Sequence, residues 1–135
     1  MSLKDKQAEL DQFTGTEGYI RWSPLFRRMV LTDGAKFVAD NGGAHGAYWL
    51  VDAIASHQPK VLKKDERLRD IQFWTLEVTE KDGRKSAVLT CRADSGEKPA
   101  VTQRIEYTDF DLPKIDLWVE PLDENTFVIL LPNEH

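Results

Sequence analysis

The sequence predicts an α+β fold in which N-terminal helices cover one face of a C-terminal antiparallel meander of four to five strands. Three observations carry the prediction. Apolar residues recur every three to four positions between residues 33 and 57, and after residue 70 they alternate with polar ones. The links between the alternating segments are too short for the crossovers that parallel pairing needs. Helices first and strands afterwards is the α+β order.

Residues 2–12 are good helix formers with a thin apolar stripe, Ala8 and Leu10, and predict a short helix that frays. TGTEG at 14–18 is a turn. Tyr19, Ile20, Trp22, Leu25, Phe26, Met29, Val30 and Leu31 follow, interrupted by Pro24, and read as irregular or short-helical. Thr32 or Asp33 can cap a helix through AKFVAD with Phe37 and Val38 inward. Asn41, Gly42 and Gly43 stop that helix, one of the two glycines taking the left-handed conformation, and Gly46 opens the next. Ala44–His57 has apolar residues at 47, 48, 51, 54 and 55, with Leu50 widening the stripe and Pro59 just past the expected end.

Beyond the charged stretch KKDERLRD, Trp74, Leu76 and Val78 alternate with polar residues, Asp82-Gly83 supplies a two-residue hairpin turn, and Ala87, Leu89 and Cys91 alternate again. A turn in DSGEKP leads to Val101, Gln103, Ile105 and Tyr107. Ile115, Leu117 and Val119 form the next strand, and PLDEN turns into Phe127, Ile129 and Leu131.

With 135 residues the chain fits one domain with a single core. An apolar share of 41% against 30% charged residues is globular rather than disordered composition. Asp and Glu outnumber Lys and Arg by 23 to 18, a formal charge of -5, so the average surface repels nucleic acid and anionic lipid. The single cysteine, Cys91, suits a reducing cytoplasm and reads as a small buried hydrophobe. No signal peptide and no run near the roughly 20 residues of a membrane span is present. A cytoplasmic protein without membrane contact is therefore expected.

Chemistry is sparse. NGGAHG lacks the G-x-G-x-x-G spacing after a strand that a dinucleotide needs, and the Lys and Ser or Thr that a phosphate loop needs, so it reads as a corner between helices. His45 and Asp52 share a helical stripe but stand about 10 Å apart along the axis. No pair of histidines or cysteines has metal-ligand spacing, so neither metal nor cofactor is expected. The carboxylates Glu106, Asp109, Asp111 and Asp116 read as a solvated turn rather than a calcium loop. Arg21, Arg27 and Arg28 gather near Trp22 and Phe26, and Lys60, Lys63, Lys64, Arg67 and Arg69 form a second basic group, diluted by Asp65, Glu66 and Asp70. A nucleic-acid partner is accordingly not expected.

The phrases FTGTEGY at 13–19, LTDGAKFVAD at 31–40, GAYWLVDAIASHQ at 46–58, TQRIEYTDFDLP and the closing VILLPNE together resemble an uncharacterised bacterial domain family also met in plasmid and phage genomes. The resemblance implies no activity. It implies a motif core of TDG followed by GAYWL-x-D-x-I, with His45 in a variable spacer. A shared binding site is then expected at Asp33, Lys36, Tyr48, Trp49 and Asp52.

Two function classes follow. The leading one is a small cytoplasmic binding or regulatory module acting on a protein partner, with the partly exposed aromatics Trp22, Trp49 and Trp118 as contacts. Trp118 should point to the sheet face opposite Leu117 and Val119, where Val88, Val128 and Leu130 would join it in a homodimer interface. The rival is a small enzyme with a cleft between the 44–57 helix and the sheet, using Asp52, Tyr48 and His57 or Cys91. A weak nucleic-acid binder is a third.

Overall fold

The computed structural model describes residues 19–23, 26–124 and 126–135, with side chains from residue 29 onward. The expected helix at 2–12 lies outside the described residues. Strands β1 (Tyr19–Ser23) and β2 (Phe26–Thr32) come first, then helices α1 (Asp33–Asn41) and α2 (Tyr48–Lys64). A single 3-10 turn, Glu66–Arg69, leads into β3 (Gln72–Lys81), β4 (Arg84–Arg92), β5 (Val101–Ile105), β6 (Lys114–Asp123) and β7 (Thr126–Leu130), and Pro132–Glu134 form a last 3-10 turn. One sheet runs in the order β1-β2-β7-β6-β3-β4-β5.

The α+β class is correct, and the antiparallel meander is not. The sheet is mixed, because β2 lies parallel to β7 with Val30 opposite Val128. The segment read as irregular or short-helical instead supplies β1 and β2, an antiparallel pair. The described end of β2, Met29 to Thr32, is buried at every position, as a strand with protein on both faces is, which removes the period-two signal. The order of strands also departs from a meander. β6 pairs with β3, not with β5.

That departure gives the acid-rich segment a different role. Residues 106–113 do not turn between neighbouring strands. They cross from the β5 edge past the β3–β4 hairpin, three strand spacings or about 14 Å. Backbone bonds fasten the crossing: Thr108 N–H donates to Lys85 C=O at 3.0 Å, and Val78 N–H to Pro113 C=O at 2.8 Å. Phe110, fully buried, anchors it in the core. The expected hairpin is present, with Asp82 and Gly83 at φ 55° and 77°, the positive pair that matches strand twist.

Thr32 caps α1, its hydroxyl accepting from Ala35 N–H at 3.2 Å. The cap has a partner from the far end of the chain. Glu134 is buried, and its carboxylate accepts from Thr32 Oγ1 at 2.6 Å, Leu131 N–H at 2.9 Å and Gly34 N–H at 3.1 Å. A negative charge at a helix N-terminus meets the positive end of the dipole and one of its unsatisfied amides, that of Gly34. Gly34 has no room for a side chain here, since a Cβ would stand 2.6 Å from Glu134 Oε1. TDG and PNE are thus two halves of one structural joint.

The corner between the helices differs in detail from expectation. Gly42 has φ -75°, and Gly46 holds the positive φ of 83°. Gly46 also precedes α2 rather than lying in its first turn, and Ala47 N–H donates back to Ala39 C=O at 2.7 Å. α2 runs on to Lys64, so Pro59 sits inside it. Its buried face is Leu50, Val51, Ile54, Ala55, Gln58 and Val61. Each larger aliphatic side chain contributes about 1.5–3 kcal/mol on burial, which is ample to hold a helix that lacks a side-chain cap.

The core lies between the two helices and one face of the sheet, centred on Trp74, Leu76, Leu89, Leu117 and Ile129. One buried polar group crosses it. Gln58 and Gln72 exchange amide hydrogen bonds at 2.9 and 2.8 Å, Gln72 Oε1 also accepts from Trp74 Nε1 at 2.9 Å, and the remaining donors reach Ile54 and Leu68 carbonyls. Every member is satisfied, so the pair fixes the helix against the sheet without an orphaned amide.

Candidate functional site

Where α2 approaches the sheet edge, an open groove of about 560 Å³ is lined by His45, Gly46, Tyr48, Trp49 and Ala53 on one wall. Gln103, Ile105, Tyr107, Thr108 and Asp109 form the other. The corner NGGAHG and the crossing 106–113 meet at one end, where Ala44 N–H donates to Asp109 Oδ2 at 3.0 Å. Trp49 is half-buried against the core, whereas Tyr48 and Tyr107 are exposed at the rim, Tyr107 to 75%. A flat, mobile edge would not keep such a shape. Here His57 holds it, stacking on Trp74 with centroids 5.8 Å apart and hydrogen-bonding Gln103 Oε1 through Nε2 at 2.7 Å.

Of the five expected binding residues, the structure brings three together. Tyr48 and Trp49 line the groove, and Lys36 reaches Tyr48 from α1 through Asp40. Lys36 Nζ lies 2.6 Å from Asp40 Oδ1 and 5.5 Å from the centre of the Tyr48 ring, and Tyr48 Oη donates to the same Asp40 oxygen. The hydrogen bond to Asp40 raises the Lys36 ammonium above its ordinary value and does the same for the Tyr48 phenol. For Asp40, burial pushes the carboxyl up, but the bonds from Lys36 and Tyr48 together outweigh it and hold it below the usual range.

Asp33 and Asp52 are placed elsewhere. Asp33 is exposed in the first turn of α1, two turns from Asp40 and beside the Glu134 joint. Asp52 is exposed one turn beyond Tyr48 and is not among the groove-lining residues. His45 lines the groove despite its position in the spacer of the motif. Cys91 is fully buried, and burial pushes its thiol up to about 12, so it is no nucleophile at neutral pH.

Val128 and Leu130 are buried with Val30 on the opposite sheet face, and Trp118 packs against them at half exposure. Trp118 also meets the Phe73 and His135 rings edge-on. Val88 lies on β4, separated from β6 by β3. The side chains of Trp22, Arg21, Arg27 and Arg28 lie outside those described. In the second basic group, Arg67 is held by Asp65 at 2.9 Å and Glu97 at 2.8 Å. Among the described residues, no three His, Cys, Asp or Glu side chains gather as a metal would require. No helix among them is long and apolar enough to cross a membrane.

The comparison with family models matches residues 4–135 to a family of unknown function (DUF6876). The chain belongs to this family. No curated protein and no solved structure matches it. For this DUF6876 chain the groove geometry is accordingly the observation that bears on function. Sequence reasoning had found its α2 wall through Tyr48 and Trp49 and had missed its sheet wall. Gln103, Ile105, Tyr107 and Asp109 were visible as a strand and an acidic segment, but nothing local said that the two would close on α2. Asp40 had a local signal, the i, i+4 spacing from Lys36.

Proposed function

We propose that this DUF6876 chain is a protein-binding module whose contact site is the groove between α2 and β5. The observation that carries the reading is the aromatic wall, with Tyr48 and Tyr107 exposed on opposite sides and Trp49 between them and the core. Exposed tyrosines with a tryptophan floor are the composition of contact centres, where large rigid rings give area at small entropic cost. The proposal extends to a cytoplasmic accessory protein, as the resemblance to plasmid and phage proteins implies.

Site-specific photocrosslinking in the native host tests it. A photoreactive phenylalanine analogue is placed at Tyr107 and, as a control, at the exposed Leu122 on the far part of β6. A partner protein crosslinked from position 107 and not from 122 supports the reading. Equal labelling from both positions, or none from 107, overturns it. A homodimer through the Trp118 face belongs to the same proposal, and light scattering that gives a monomer at high concentration removes that part.

A further inference from the structure

We infer that the groove takes an extended segment of a partner chain that adds to the β5 edge and places a Lys or Arg side chain among Tyr48, Trp49 and Tyr107, against Asp109. The inference rests on the reading of the groove as a protein-binding site. It deepens that reading by naming the shape and charge of the occupant.

The shape comes from the sheet. Among the described residues β5 ends the strand order and pairs with β4 alone. In an antiparallel ladder, alternate residues of an end strand turn their N–H and C=O groups away from the sheet, so β5 offers a row of main-chain partners to an extended peptide. Gln103 and Ile105 of that same strand line the groove, so a segment paired to β5 lies along it. His57 and Gln103 tie β5 to α2 from the inner side and leave the outer edge free of that contact.

The charge comes from the lining. Among the described residues no Lys or Arg lines the groove, and a carboxylate, Asp109, does. Its hydrogen bond from Ala44 N–H fixes the carboxylate in place. Among the described residues no ion pair involves Asp109, whereas the neighbouring Asp40 is already matched by Lys36. Aromatic faces attract cations through the ring quadrupole, and a nearby carboxylate adds to the same field. An acidic segment would bring its carboxylate against Asp109, and the ammonium beside Tyr48, that of Lys36, is already matched by Asp40.

The test titrates the isotope-labelled full chain with blocked pentapeptides of the form Thr-Val-Xaa-Val-Thr, the central residue being Arg, Lys, Gln or Glu. The Arg and Lys peptides are expected to shift the amide signals of residues 101–109 and the Trp49 indole signal. They should bind roughly tenfold more tightly than the Gln peptide, the scale of one cation–aromatic contact with a charge partner. The Glu peptide should bind least. Asp109→Asn keeps an oxygen for the Ala44 amide and should bring the Arg and Gln peptides within about threefold of each other. Equal affinity of the Arg and Gln peptides for the wild-type chain overturns the cation and leaves the groove as a peptide site. Shifts at Trp49 that spare residues 101–105 overturn strand addition. If no peptide binds, the inference fails, and photocrosslinking at position 107 decides separately whether the groove meets a protein.

Discussion

Asp40 is the most informative single residue. One carboxylate oxygen receives both the Lys36 ammonium and the Tyr48 hydroxyl, and so joins α1 to the first residue of α2 across the glycine corner. The bond to Asp40 holds the phenol proton, so Tyr48 ionises above the ordinary value of about 10. Its contribution to stability is complete below that value and is lost as pH rises through the raised one. Asp40 works the other way. Its carboxyl is held low, so its contribution is present above about pH 4 and is lost as pH falls through the lowered value. Asp40→Asn should therefore move the Tyr48 ionisation down toward the ordinary phenol value. Ultraviolet titration in a Tyr19→Phe, Tyr107→Phe background, which leaves Tyr48 as the one tyrosine of the chain, checks this, and an unmoved curve would contradict the contact. The Lys36–Asp40 half of the cluster was legible as an i, i+4 pair. The Tyr48 half was not, because a contact across a corner depends on where Gly46 sends the chain.

At the scale of elements, α2 is where sequence punctuation misled. Pro59 reads as a stop, since proline lacks the N–H that would bond the carbonyl of Ala55 and its ring crowds that turn. The helix continues for five residues because Val61 is fully buried and Gln58 is locked to Gln72. Tertiary contacts override a local cost of about 3 kcal/mol. Pro59 is exposed, so removing its ring leaves no cavity. Pro59→Ala gives up about 0.4–1 kcal/mol of unfolded-state restriction and recovers the larger helical term, so the expected outcome is a net gain of about 2 kcal/mol. Urea denaturation followed by circular dichroism measures it, and a lower midpoint would mean that the helix needs its proline bend. The capped helix at Thr32, the Asp82-Gly83 hairpin and the alternation in β3, β4 and β6 were all readable, because each is set by residues within a few positions of one another. β2 was not, because Met29 to Thr32 are buried at every position, which erases the alternation by which a strand is read.

Across the whole molecule, the joint between chain ends organises the sheet. β7 sits between β2 and β6, and Glu134 just beyond it reaches the N-terminus of α1, about one hundred residues earlier in the chain. Removing residues 132–135 leaves Thr32 Oγ1 and the Gly34 amide without their carboxylate. Hydrogen bonds to a charged partner are worth about 1.5–3 kcal/mol, and buried donors left unmade cost a similar amount. A loss of about 2–3 kcal/mol is expected for the deletion, and somewhat less for Glu134→Gln, whose amide group faces the Gly34 N–H donor to donor. The denaturation midpoint should fall with an unchanged slope. An unchanged midpoint for the deletion would show that the Thr32 cap suffices alone.

By itself the sequence determined the class of fold, the capped helix, the long amphipathic helix, the hairpin, the burial of Cys91 and the interest of Tyr48 and Trp49. Each rests on periodicity or turn chemistry over a handful of neighbouring residues, which the chain carries wherever it is placed. The tertiary structure alone decided that β2 joins β7 in parallel, that residues 106–113 cross the hairpin and that Glu134 closes α1. It also decided that Tyr107 and Asp109 face Tyr48 and Trp49 across a groove. Those features depend on which distant segments meet, and that choice is made by the joint burial of many apolar faces at once, a quantity that no short window of sequence contains.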